Sequence, residues 1–148
     1  MATSGPNGLI RHDGDVETTV LRLDMTRRWL ADLTGDAAAF CRDRGDGLLH
    51  VFAPHATAGL ALIELGSGTE DDLAEVVGRV LPRDDRYRHA HGARGHGADH
   101  VLPAMISPSL TVPVLGGRLA LGTWQSIVLV DTNADNPDRQ VRLSFVAA

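Results

Sequence analysis

The segment Arg86–His100, RYRHAHGARGHGADH, gathers four of the chain's seven histidines: His89, His91, His96 and His100. Three arginines and three glycines accompany them, and no aliphatic side chain is larger than alanine. Neutral imidazoles bind zinc when they converge at about 2.0–2.1 Å from the ion. Spacing alone does not show convergence. His89 and His91, two apart, suit one face of an extended segment. His96 and His100, four apart, share a helical face only if a helix begins early. Neither spacing matches a specific zinc signature such as H-E-x-x-H. The segment also fits an anion site. Gly92, Gly95 and Gly97 would let the backbone approach a ligand or form a nest, and Arg83, Arg86, Arg88 and Arg94 could hold a phosphate. A solvated polar loop is the plain alternative.

Two other stretches carry polar residues where strands end. In Pro54–Glu64, PHATAGLALIE, His55 sits at a strand-to-strand turn beside Thr57, and Glu64 closes an apolar strand. A buried unpaired carboxylate is costly, so Glu64 is expected at the sheet's rim. It would make an acid–base pair or metal ligands with His55 if the strands fold back; a solvent-facing strand end is the alternative. In Leu121–Ser126, LGTWQS, an inward Gln125 would need two or more hydrogen-bond partners and could orient a substrate group. The alternative is Trp124 in the core and Gln125 at an edge. Asp131 ends its strand much as Glu64 does. Asp72 stands in a helix's first turn, where acids stabilise by about 0.3–1 kcal/mol. It directly precedes the apolar stripe, so it is the acid expected to point toward the protein body.

The elements that must position these residues follow from pattern. Val16–Asp24 alternates and predicts a strand. A helix begins at Thr34 and carries Leu33, Ala37, Phe40 and Cys41 on one face, with Gly45 and Gly47 ending it. Residues 48–53 and 58–65 predict two strands, the second buried on both faces. Thr69 is the expected N-cap of a helix whose Leu73, Val76, Val77, Val80 and Leu81 recur at helical spacing, closed by Pro82. A loop over 83–99 leads to a short helix over 100–106 with Pro103 in its first turn. Strands over 110–115, 118–121, 124–131 and 140–146 follow, with a Gly116-Gly117 hairpin and a turn cluster at Asn133–Asp138. Helices are few and the C-terminal half is strand. An α+β domain is expected, with antiparallel sheets packed face to face and two or three helices on one side.

Composition sets limits. The 148 residues suit one domain with a sizeable core. A net charge of −5 disfavours general nucleic-acid binding. All 14 basic residues are arginine, which excludes Schiff-base chemistry and a P-loop lysine. The lone Cys41 excludes an intramolecular disulfide and a thiolate zinc cluster, and its spacing places it in the core. No apolar run is long enough for a membrane span and no signal-peptide core is evident, so the cytoplasm is the default. Residues 1–11 are expected to form a disordered leader.

In order and type, these residues resemble the YjbQ-like family, sometimes called secondary thiamine-phosphate synthases. The resemblance covers about Val16–Val146. It rests on His55-Ala56-Thr57-Ala58 with Glu64, on Asp72, on Tyr87-Arg88-His89, on His100, on Gly122-Thr123-Trp124-Gln125, and on Asp131. Three positions depart from the family pattern: Ala56 for threonine, Leu65 for asparagine and Asp131 for glutamate. The resemblance implies a domain over 12–148, assembly as a homotrimer, and a pocket around a divalent metal such as zinc or magnesium. It implies His55, His89 and His100 as metal ligands, and His55, Glu64, Asp72 and Gln125 as catalytic groups. It also implies Thr57, Arg88, Trp124 and Asp131 as substrate contacts. The implied reaction joins an aminopyrimidine-methyl pyrophosphate to a thiazole phosphate, giving thiamine phosphate and pyrophosphate. More broadly, it points to an enzyme for small phosphorylated or heterocyclic substrates. A non-catalytic trimeric metal- or small-molecule-binding protein is the alternative. By this likeness His89 and His100 are anchors, while His91 and His96 are loop residues.

Overall fold

A computed structural model describes residues 10–11 and 16–148. Nine strands and three helices are defined among them. β1 (Ile10–Arg11), β2 (Val16–Asp24), β4 (Gly47–Phe52), β6 (Ser109–Leu115), β7 (Arg118–Leu119) and β9 (Asp138–Ala147) form one sheet in the order β1-β2-β9-β4-β6-β7. β3 (Leu30–Asp32), β5 (Ala58–Ile63) and β8 (Ser126–Asp131) form a smaller sheet in the order β3-β8-β5. All pairings are antiparallel. The helices are α1 (Thr34–Cys41), α2 (Thr69–Val80) and α3 (His96–Met105). The expected α+β architecture is the one observed. Most of the expected leader lies outside the described residues, but its last two form β1, paired with β2 through Ile10↔Thr18 and Arg11↔Glu17.

Alternation builds the main core. Val141, Leu143 and Phe145 of β9, Leu49 and Val51 of β4, and Val112 and Val114 of β6 all point inward. They meet Ala31, Leu60, Ile127 and Leu129 from the small sheet, with Ala37 and Cys41 of α1. Burial pushes the Cys41 thiol up, as befits a core residue. The small sheet is covered on its other face too. Val128 and Val130 pack with Leu81, Ala98 and Leu102 from the α2–α3 layer. β8 is therefore apolar on both faces and reads as a continuous run rather than an alternating one.

Four local expectations change. α2 is capped by Gly68, in the left-handed conformation at φ 92°, and not by a Thr69 side chain. Glu70 Oε1 instead reaches back to the Gly66 N–H at 2.8 Å. The α2 stripe is only half covered: Leu73 and Val77 are partly buried, while Val76 and Val80 stay 53% and 51% exposed. Trp124 is 72% exposed in the turn before β8, not in the core. Most consequential, α3 begins at His96 and carries Pro103 in its interior. An interior proline costs about 3 kcal/mol, and tertiary contacts outweigh it. Gly95, at φ 80°, starts the helix against Arg83, and Asp99 of the first turn is fully buried between Arg83 and Thr132.

Candidate functional site

The early start of α3 sets His96 and His100 on one helical face, with their Nε2 atoms 2.8 Å apart. The preceding loop turns back over that face. Tyr87 is tied to the Pro82 carbonyl at 2.9 Å and packs against Gly97. A Cβ at Gly97 would lie 2.9 Å from the His89 carbonyl oxygen, so glycine is required for this approach. His89 and His91 are thereby delivered to the helix. All six ring pairs among His89, His91, His96 and His100 have centroids between 3.9 and 6.0 Å apart. One ligand nitrogen from each of His89, His91 and His96 lies within 4.8 Å of the others. The division into two anchors and two loop residues does not hold: His91 and His96 are members of the cluster. The conditional signal was the four-residue spacing of His96 and His100, realised because the helix begins at residue 96.

Partial loss of water and the neighbouring imidazoles hold His89 and His100 below the ordinary histidine value. The shift favours the neutral form of both rings, the form a metal ligand needs. Behind the rings, His96 Nδ1 lies 3.2 Å from Asp135 Oδ2 and 3.8 Å from Asp99 Oδ2. Asp99 Oδ1 accepts from Arg83 and, at 2.6 Å, from the Thr132 hydroxyl. In front, a cleft of about 210 Å³ is lined by His89, His91, His96, Tyr87 and Arg94. Arg94 is 3.9 Å from Asp85, and both side chains are largely exposed.

A second polar cluster lies at the C-terminal end of β8. Asp131 and Arg139 form an ion pair only 1% and 5% exposed. Thr57 donates to Asp131 Oδ1 at 3.1 Å, and the Asn133 N–H donates to the same oxygen at 3.0 Å. His55 Nε2 lies 2.9 Å from the Gln140 backbone nitrogen and 3.1 Å from the Gln140 carbonyl oxygen, accepting from the first or donating to the second according to its tautomer. Burial, and then the Arg139 charge, hold the His55 imidazole below its ordinary value. Asp131 and Thr57, expected at the substrate, are here engaged by Arg139, which the sequence reading did not select.

The other expected residues sit elsewhere. β5 and β8 run antiparallel, with Ala58 opposite Asp131 and Ile63 opposite Ser126. His55, Thr57 and Asp131 therefore share one end of the small sheet, and Glu64, Trp124 and Gln125 the other. Six strand residues put those ends roughly 20 Å apart, so His55 and Glu64 do not pair within one chain. Glu64 accepts from the Ser67 hydroxyl at 3.0 Å, and Gln125 Oε1 closes a turn on the Gly122 N–H at 2.9 Å. Asp72 and Arg88 are exposed. Among the described residues, no hydrogen bond, ion pair or ring contact joins His55, Glu64, Asp72 or Gln125 to the four imidazoles.

Comparison with known proteins accords with the motif reading. The family model described as UPF0047 protein YjbQ-like matches residues 19–148. A UPF0047 protein of Mycobacterium tuberculosis is 63% identical over 131 residues, covering 88% of this chain and 98% of that protein. One from Archaeoglobus fulgidus is 31% identical over 112 residues, covering 76% and 87%. Among solved structures, a hypothetical protein from Aeropyrum pernix aligns at TM-score 0.79 and 30% identity, covering 89% of this chain and 99% of that one. A YbjQ-like protein of Sulfolobus solfataricus shares the fold at TM-score 0.82 and 20% identity, covering 90% and 98%. The matched model spans nearly all of the sequence, and the solved relatives carry the same fold: the chain belongs to the UPF0047, YjbQ-like family.

Proposed function

We propose that the cluster of His89, His91, His96 and His100 is a divalent-metal site serving an enzyme of small phosphorylated or heterocyclic substrates. The observation that carries this is the approach of three imidazole nitrogens to within 4.8 Å of one another. Two ligands on a common tetrahedral zinc are about 3.3–3.4 Å apart, given bonds of about 2.0–2.1 Å. A closure of up to about 1.5 Å completes the set, which side-chain rotation supplies for exposed His89 and His91. An all-imidazole donor set favours zinc or a similar transition metal over magnesium, which prefers oxygen. His55, a metal ligand by family likeness, has its Nε2 engaged by the Gln140 backbone and is joined to none of the four imidazoles, so the quartet is the better-supported set.

The reaction implied by family likeness forms a bond from the thiazole nitrogen to the pyrimidine methylene, and breaks the methylene–oxygen bond to pyrophosphate. A bound metal would neutralise charge on the departing pyrophosphate. Arg94 at the cleft and exposed Arg88 add cationic charge for the same anion. Tyr87 fixes the loop that carries them. Glu64, Trp124 and Gln125 could serve this site only from a neighbouring chain, so homotrimer assembly belongs to the proposal. The exposed apolar stripe of Val76, Val80 and Met105 favours such assembly, and light scattering after gel filtration tests it.

Purified protein supplied with zinc and both thiamine precursors should release pyrophosphate, and His96→Ala should abolish the release. Zinc binding without turnover favours a non-catalytic metal-binding protein. Turnover that persists in the absence of bound metal would remove the metal from the account.

A further inference from the structure

Among the described residues, three buried side-chain polar atoms have no hydrogen-bond partner, and two of them are His96 Nδ1 and Asp99 Oδ2. Unpaired buried polar atoms are rare and need a reason. These two lie 3.8 Å apart, directly behind the imidazole cluster. The carboxylate of Asp135 approaches the same nitrogen, with Oδ2 at 3.2 Å from His96 Nδ1 but not aligned as a hydrogen bond. Asp135 is not there by accident of a floppy turn. Its own N–H donates to Asn133 Oδ1 at 3.0 Å, and Oδ2 accepts from the Ala93 N–H at 3.2 Å. Gly92 makes room for the contact: a Cβ there would lie 2.8 Å from His96 Cδ2 and 3.0 Å from Asp135 Oδ2.

An imidazole that binds a metal through Nε2 carries its proton on Nδ1, and a carboxylate accepting that proton fixes both tautomer and ring orientation. His96 Nε2 faces His100 and the cluster, while Nδ1 faces two carboxylates. We infer that Asp135, backed by buried Asp99, is the positioning residue for His96, which makes the turn after β8 an outer part of the metal centre. This rests on the metal reading given above. The turn then serves both polar clusters. Asp131 anchors Thr57 and Arg139, Thr132 holds Asp99, and Asp135 holds His96.

The test is zinc affinity, by competition with a chromophoric chelator, together with the cobalt absorption spectrum, on the full chain and its variants. Asp135→Ala should weaken zinc binding about 10–100-fold and alter the cobalt bands, with Asp135→Asn intermediate because its amide oxygen still accepts. The Asp135 side chain is 37% exposed, so metal-free Asp135→Ala and the parent should melt together. If the parent binds zinc and Asp135→Ala binds it within about twofold, Asp135 is not a positioning residue and the metal site stands without it. If the parent binds neither zinc nor cobalt, the metal reading fails, and the inference with it.

Discussion

Asp131 and Arg139 are as deeply buried as His96 and Asp99, yet the two pairs differ in what their atoms do. Asp131, Thr57 and Arg139 satisfy one another, with help from the Asn133 N–H and the Asp138 carbonyl. The cluster is closed. His96 Nδ1 and Asp99 Oδ2 are left over, in a cluster whose four imidazoles crowd together. A closed buried ion pair fixes fold geometry; the atoms left over in the second cluster lie behind the rings, where they bear on the orientation of His96. Both use residues from the same turn, so proximity in sequence did not decide their roles. Saturation of hydrogen bonds did.

The largest effect should come from opening the closed cluster. Arg139→Ala leaves the Asp131 charge buried and alone, and should lower unfolding free energy by about 3–5 kcal/mol in urea titrations. A loss below about 1 kcal/mol would mean that water reaches Asp131 and that the contrast between the clusters is false. His96→Ala should do the reverse. It should weaken zinc binding by more than the roughly 10–100-fold expected of an outer partner, while metal-free stability changes by only about 1 kcal/mol. The chelator competition and a thermal melt separate the two.

A smaller effect tests His55. Its folded-state pKa lies below the ordinary 6.5 because burial and Arg139 disfavour the imidazolium. The unfolded chain then binds the proton more readily, so stability is full above pH 6.5 and falls as pH drops through 6.5 toward the lower folded value. Metal-free protein should show this slope, and His55→Asn should flatten part of it. The part that remains belongs to His89 and His100, shifted in the same direction. Least affected should be Trp124→Ala. With Trp124 72% exposed, the stability of dilute protein should change by no more than about 0.5 kcal/mol.

How much was legible in the sequence varied with the kind of signal. Alternating strands such as β2 and β9, the Gly116-Gly117 turn and the Thr34 start of α1 were visible because local pattern and tertiary packing agree. The start of α3 was not. Pro103 argued for a later helix, and the contacts of Gly95, Gly97 and Asp99 that outweigh it come from residues up to 33 positions away. That one misplaced boundary hid the helical face that His96 shares with His100. Motif likeness singled out His89 and His100 but not His91 and His96. Arg139, Asp99 and Asp135 carried no pattern: each is one charged residue among many until the fold supplies its partner. The expected pairing of His55 with Glu64 failed for a geometric reason, since six residues of straight β5 lie between them.

The central claim, that the four imidazoles form a metal site, is tested most directly by metal content. Protein equilibrated with zinc and then dialysed should retain about one ion per chain by elemental analysis. His91→Ala and His96→Ala, prepared identically and folded by circular dichroism, should retain far less. A folded parent that keeps no zinc, or variants that keep as much as the parent, would contradict it.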